Sequence, residues 1–149
     1  MKSGDLNMLI GQYTTKISKK GRLALPAKFK KILGNQIIIT AGYEKSLMII
    51  SKDSFQRVLG QITNRPLTLK PARATDRFLL GSAFDLNLDL QGRFIIPKNL
   101  RVYAGLKLQV IFLGIGNRVE LWSQENWLEY SKYLNKNIEN LAEQLPEIQ

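Results

Sequence analysis

Two short segments of this 149-residue chain carry side chains arranged for chemistry, and the chemistry is recognition of anions. Lys16-Ile17-Ser18-Lys19-Lys20-Gly21-Arg22 holds four positive charges and no negative one, while Asp85 to Arg93 holds two negative charges and one positive. An arginine placed after a glycine turn can offer its planar fork to guanine O6 and N7 in a major groove. Lysines beside it are suited to phosphates, which fix register without reading sequence. Lys28, Lys30 and Lys31 follow within one helical turn of each other and are further candidate phosphate contacts. The alternative for Arg22 is a surface arginine that merely ends a turn, and for Arg93 a residue that braces its own loop through Asp89.

Catalytic alternatives are few. The chain has no Cys and no His, which removes thiol nucleophiles, histidine bases, catalytic triads and Cys/His metal sites together. Asp85 and Asp89 fall on one face of a regular strand, yet nothing nearby marks a pocket, and turn bracing is the simpler role. Gly114-Ile115-Gly116 lacks the third glycine of a dinucleotide fingerprint and leads into a strand, so it reads as a hairpin turn. Trp122 and Trp127 read as core. Arg73 and Arg77, one helical turn apart, either line a partner-facing surface or are solvated charge. No cofactor, metal or small-molecule substrate is expected.

The overall balance points the same way. Net charge is +10. Through Arg77 there are fifteen Lys and Arg against four Asp and Glu; from Phe78 onward there are seven against eight. A surface made only for solubility has no reason to be so lopsided, so nucleic acid or another polyanion is the default partner. No apolar run approaches the ~20 residues of a membrane helix. Met1-Lys2-Ser3-Gly4-Asp5 leads into no apolar export segment, so a cytoplasmic location is expected.

An internal repeat positions these segments. Gly21-Arg22-Leu23-Ala24-Leu25-Pro26-Ala27-Lys28-Phe29 recurs 71 residues later as Gly92-Arg93-Phe94-Ile95-Ile96-Pro97-Lys98-Asn99-Leu100. The match continues from Gly34 to Gly105, and Ser51 to Phe55 answers Ser123 to Trp127. Two copies are too few for a solenoid and suggest one chain imitating a dimer, with pseudo-twofold symmetry. The expected organisation is a first unit over 7–63, a linking loop and helix over 64–81, and a second unit with its helix over 82–145.

Each unit reads alike. A β-rich stretch, Leu9 to Ile17 or Phe84 to Leu88, leads through a polar turn to Gly21 or Gly92. Short buried strands follow, Leu23 to Leu25 and Phe94 to Ile96. Pro26 and Pro97 open short helices that stop near Gly34 and Gly105. Hairpins come next: Gln36 to Thr40 with Leu47 to Ile50, and Leu108 to Leu113 with Val119 to Trp122. Ser51 and Ser123 are placed to cap the helices after them. Pro71 to Leu80 predicts the linking helix. In the last helix Trp127, Tyr130, Leu134, Ile138, Leu141 and Leu145 form one apolar stripe, for packing on its own domain or on another subunit.

The combination of Leu9-Ile10-Gly11-Gln12-Tyr13, Lys20 to Phe29, Ala72-Arg73-Ala74-Thr75-Asp76-Arg77-Phe78, Asp89 to Pro97, and Gly116-Asn117-Arg118-Val119-Glu120-Leu121-Trp122 resembles the MraZ family of bacterial transcriptional regulators. The resemblance runs from about Met8 to Tyr130. It implies a β-rich α+β fold: a duplicated swapped-hairpin barrel of the AbrB type, with flanking helices and a long C-terminal helix. It also implies a closed ring of subunits on double-stranded DNA, at short G-rich direct repeats in the promoter of the cell-division and cell-wall gene cluster. An antitoxin-like protein-binding module and a general nucleoid-associated protein are the alternatives. The family marks each unit with Asp-x-x-x-Arg. Asp89 to Arg93 keeps the pattern; in the first unit Ser18 stands where Asp is expected. The residues marking the turns are therefore Ser18, Gly21, Asp89 and Gly92, and those expected on DNA are Lys16, Lys19, Lys20, Arg22, Lys28, Lys30, Lys31 and Arg93.

Overall fold

The computed structural model describes residues 8–146, and in Thr63 only the backbone. The reading of Met1 to Asp5, and residue 7 of the first expected unit, lie outside those residues.

Eight strands and five helices alternate along the chain. The first unit gives β1 (Leu9–Lys16), β2 (Arg22–Ala24), α1 (Ala27–Leu33), β3 (Gln36–Ala41), β4 (Leu47–Ser51) and α2 (Lys52–Thr63). After α3 (Lys70–Leu79) the series repeats as β5 (Phe84–Asn87), β6 (Arg93–Ile95), α4 (Lys98–Tyr103), β7 (Gln109–Gly116), β8 (Val119–Ser123) and α5 (Gln124–Glu143). The class is α+β, with a strand-rich antiparallel sheet and a long C-terminal helix.

Six strands form one sheet in the order β1-β7-β8-β4-β3-β5, and β2 pairs with β6 as a separate ribbon. All pairs are antiparallel. β1 does not pair with its own hairpin: it runs along β7 from Leu9 opposite Gly116 to Lys16 opposite Gln109. β5 lies along β3, with Leu86 opposite Ile37. In the ribbon, Leu23 stands opposite Phe94, its partner 71 positions away in the sequence.

Strand alternation divides the apolar residues between two layers. Ile37, Ile39, Val110, Phe112, Val119 and Leu121 face the main core, where they meet Leu23 and Phe94 from the ribbon and Phe29 and Leu100 from α1 and α4. Phe29 and Phe112 are fully buried. Each such side chain contributes roughly 1.5–3 kcal/mol of transfer free energy. On the other side, Ile111, Leu113 and Trp122 form a smaller cluster under Trp127 and Tyr130. Trp122 stacks on Tyr130 at 5.1 Å and meets Trp127 edge-on at 5.3 Å, so both tryptophans are packing residues.

The local punctuation follows the sequence. Ser51 Oγ accepts the Ser54 N–H at 3.1 Å, and Ser123 Oγ accepts the Asn126 N–H at 3.0 Å, capping α2 and α5. Pro26 and Pro97 occupy the cap positions one residue before α1 and α4. Pro71 sits in the first turn of α3.

Three expectations are corrected. Gly114-Ile115-Gly116 is not a turn: β7 continues to Gly116, and only Gly116 and Asn117 connect Ile115 to Arg118, whose carbonyl accepts the Ile115 N–H at 2.9 Å. The extension exists because β1 pairs along all eight residues, and Gly114 is needed for that approach: a Cβ there would stand 2.4 Å from the Ile10 nitrogen. The short strands β2 and β6 are not wholly buried; Ala24 is exposed and Ile95 is 54% exposed, because the ribbon covers the core with one face only. The helix that carries the apolar stripe is shorter than expected: α5 ends at Glu143, so Leu145 falls outside it, and of the rest Trp127 and Tyr130 pack while Ile138 is exposed.

Candidate nucleic-acid interface

Antiparallel pairing decides what the ribbon presents. Arg22 stands opposite Ile95, and Ala24 opposite Arg93. Residues directly opposite share a face, as do residues two apart on one strand. Leu23 and Phe94 therefore turn inward, and the outer face carries Arg22, Ala24, Arg93 and Ile95. The two arginines lie on a diagonal, next to an open basin of about 700 Å³ that Lys16, Lys19 and Lys20 also line. The structure thus brings together five of the eight cations expected on DNA. Lys28 and Lys31 are exposed on α1 but do not line this basin.

The loops that deliver the two arginines share one backbone design. Ser18 N–H donates to the Arg22 carbonyl and Gly21 N–H to the Ser18 carbonyl; Asp89 N–H donates to the Arg93 carbonyl and Gly92 N–H to the Asp89 carbonyl. Gly21 and Gly92 take φ values of 82° and 75°, a left-handed conformation that favours glycine. Ser18 replaces Asp without losing the brace: its Oγ accepts the Arg22 N–H at 3.0 Å, as Asp89 Oδ1 accepts the Arg93 N–H at 2.9 Å.

The side chains differ. Asp89 Oδ2 also accepts from Arg93 Nε at 2.9 Å, so the second guanidinium is tied to a carboxylate. The backbone N–H of Arg93, with help from its guanidinium and the Gln91 N–H, holds the Asp89 carboxyl below its ordinary pKa. A serine has no second oxygen and no charge. Among the described residues the Arg22 guanidinium has no ion pair and no hydrogen bond, and the residue is exposed.

Each loop is covered by a helix from the other half of the chain. Leu25 N–H donates to the Gly92 carbonyl, and Ile96 N–H to the Gly21 carbonyl. Lys30 of α1 reaches over the second loop, where its Nζ donates to the Leu90 carbonyl at 3.2 Å. Arg101 of α4 lies over the first; a Cβ on Gly21 would meet its Nη1 at 2.6 Å. Lys30, expected as a phosphate contact on the first unit's helix, lies over the second unit's loop. Arg101 adds a cation to the first loop that sequence reasoning missed. The repeat held the signal, because Arg101 is the counterpart of Lys30 at the same 71-residue offset.

The remaining candidates disperse. Asp85 pairs with Lys52 at 3.3 Å and Asp89 with Arg93, so the two carboxylates serve separate partners. Arg73 donates to the Leu67 carbonyl, while Arg77 is exposed. No cluster of three or more acidic residues suited to a metal occurs among the described residues, and none of their helices is long and apolar enough to cross a membrane.

The arrangement defines a class: an α+β protein with a cationic two-stranded ribbon, framed by two matching loops of unequal charge. Comparison with known proteins supplies the family. The model of the family described as "MraZ protein, putative antitoxin-like" matches residues 8–78 and again 79–146. A protein named transcriptional regulator MraZ from Thermoanaerobacter pseudethanolicus is 42% identical over 141 residues, 95% of this chain and 99% of the relative. Its namesakes from Caldanaerobacter subterraneus subsp. tengcongensis and Leuconostoc mesenteroides are 43% and 40% identical, each over 93% of this chain and 96% of the relative. The chain belongs to the MraZ family.

Proposed function

We propose that this chain is a sequence-specific, DNA-binding transcriptional regulator, without enzymatic activity or cofactor. The observation that carries the proposal is the outer face of the β2–β6 ribbon, where Arg22 is exposed, unpaired and surrounded by Lys16, Lys19 and Lys20. A two-stranded ribbon fits a major groove, where an unpaired arginine can bind guanine O6 and N7. The lysines supply the sequence-independent part of the affinity. The names of the similar proteins support the regulatory role.

The finer reading is a pseudo-twofold molecule built from units 7–63 and 82–145, linked through 64–81, in a swapped-hairpin barrel of the AbrB type. It is supported by the exchange of strands, β1 onto the second hairpin and β5 onto the first, and by the Leu23–Phe94 register. One ribbon spans only a few base pairs. A closed ring of copies would gain affinity through effective concentration, and would suit short direct repeats in the promoter of the cell-division and cell-wall gene cluster. The uncovered Ile138 on α5, with the exposed Leu145 just past the end of that helix, offers it a contact surface. The location that follows is the cytoplasm, at the nucleoid.

A gel shift with the promoter upstream of the chain's own gene tests the function, with a scrambled duplex as control. Preference for the promoter is the expected result. Equal binding to both duplexes would make the protein a general nucleoid component, and absence of binding would remove the DNA reading. Light scattering tests the ring: the mass should be a multiple of 17.0 kDa, and a monomer at micromolar concentration would end the multivalency argument.

A further inference from the structure

We infer that Ile95 is a second specificity-determining residue, which recognises the 5-methyl group of a thymine next to the guanine bound by Arg22. The inference rests on the DNA-binding reading above and names a base that this reading leaves open.

Ile95 belongs to neither apolar cluster of the described residues. The core side of the ribbon is filled by Leu23 and Phe94, while Ile95 is 54% exposed on the cationic side. It stands directly opposite Arg22. Directly opposite residues hold their Cβ atoms about 4.5–5.5 Å apart on the same face. Successive bases along a strand rise about 3.4 Å, so this pair of side chains reaches neighbouring base pairs. The thymine methyl is the apolar group on the major-groove edges, and an apolar side chain is its complement. A β-branched side chain in a strand is also stiff, so little rotamer freedom remains to be lost on contact.

The other outward-facing pair of the ribbon shows what the couple would lose. There Ala24 stands opposite Arg93, with a side chain too short to reach a methyl group beside an arginine already held by Asp89. The chain therefore carries one complete Arg-plus-apolar couple and one reduced copy of it. Ala24 is also the repeat counterpart of Ile95, so alanine is a residue this ribbon accepts at that place.

The test compares wild type with Ile95→Ala on the promoter upstream of the chain's own gene, amplified once with dTTP and once with dUTP. The two duplexes differ only in thymine methyls. Wild type should bind the uracil duplex about fourfold more weakly for each methyl contacted, the equivalent of one buried carbon. Ile95→Ala should bind thymine DNA as weakly as wild type binds uracil DNA, with no further loss on uracil DNA. An undiminished uracil penalty in Ile95→Ala would overturn the inference, because another residue or duplex stiffness would then be reading the methyl. Indifference of wild type to the methyl would overturn it too. So would a drop in the mass of Ile95→Ala by light scattering, which would make Ile95 a subunit contact. Failure of wild type to bind either promoter duplex would fell the DNA reading itself, before any comparison of methyls.

Discussion

Replacing Ser18 by Asp would give the first loop the clamp that holds Arg93. The backbone should barely change, since Ser18 Oγ already occupies the acceptor position that Asp89 Oδ1 fills in the second loop. What changes is the guanidinium: a carboxylate in reach of Arg22 competes with the base for the same N–H groups. A bidentate arginine–guanine contact is worth about 1–3 kcal/mol, or about 5- to 150-fold in affinity per subunit. One added negative charge should also flatten the salt dependence by up to ~0.9 in slope for the phosphate contact it cancels. Fluorescence anisotropy on the promoter duplex at three salt concentrations measures both effects, and melting temperature checks the fold. Arg22→Ala should match Ser18→Asp in affinity, with an unchanged melting temperature. Arg93→Ala should lower the melting temperature, because Asp89 loses its side-chain partner. Tighter binding by Ser18→Asp would refute the competition argument. Loss of binding in Arg93→Ala alone, at unchanged melting temperature, would reverse the roles of the two loops.

Three further outcomes follow from the same geometry. The three lysines from Lys16 to Lys20 should give log K against log[salt] a slope of up to about −2.7 per engaged subunit, at ~0.9 per phosphate; a flat titration would exclude an electrostatic interface. The Asp89 clamp should contribute stability that is fully present above about pH 4, the ordinary aspartate range, and lost as pH falls through the lowered folded-state pKa; melting between pH 6 and pH 2 should show a shallower acid limb in Asp89→Asn. Gly114→Ala should destabilise by at least about 1–3 kcal/mol in denaturant titration, the usual cost of overpacking, because its Cβ would meet the β1 backbone; a stability equal to wild type would mean that β1 can lift away from β7.

Much of this was legible because its cause is local or periodic. The serine caps, the helix-opening prolines and the alternating strands each depend on neighbours a few residues away, and all stand where the spacing puts them. The failures share a different cause. Gly114 reads as a turn residue until β1, more than a hundred positions earlier, is laid along β7. That Lys30 lies over the loop at Leu90 depends on where α1 is laid, which its place in the sequence does not tell. The exposure of Ile95 depends on which face of a three-residue strand the core takes, and three residues are too few for alternation to decide. In the site, the type and charge of the loop residues could be read directly. The transfer of Arg101 to the first loop could have been read from the repeat, but only once it was known that the halves cover each other.

Duplication within one chain explains why the two loops could diverge. In a true twofold dimer, any change that frees one arginine frees its mate as well, because both are the same residue. Here Ser18 and Asp89 are separate positions, and a single replacement leaves one guanidinium free and the other clamped. Ile95 and Ala24 divide in the same way across the ribbon. The free arginine and the larger apolar residue fall opposite each other, so both differences accumulate at one end. A ribbon with a recognising end and a supporting end has a direction, and a palindromic site would meet that direction correctly in only one of its halves. Under the proposed function, a ring of such ribbons side by side calls for sites that all point the same way. The polarity needed for direct repeats would then arise within each subunit, from one missing carboxylate and one added side chain.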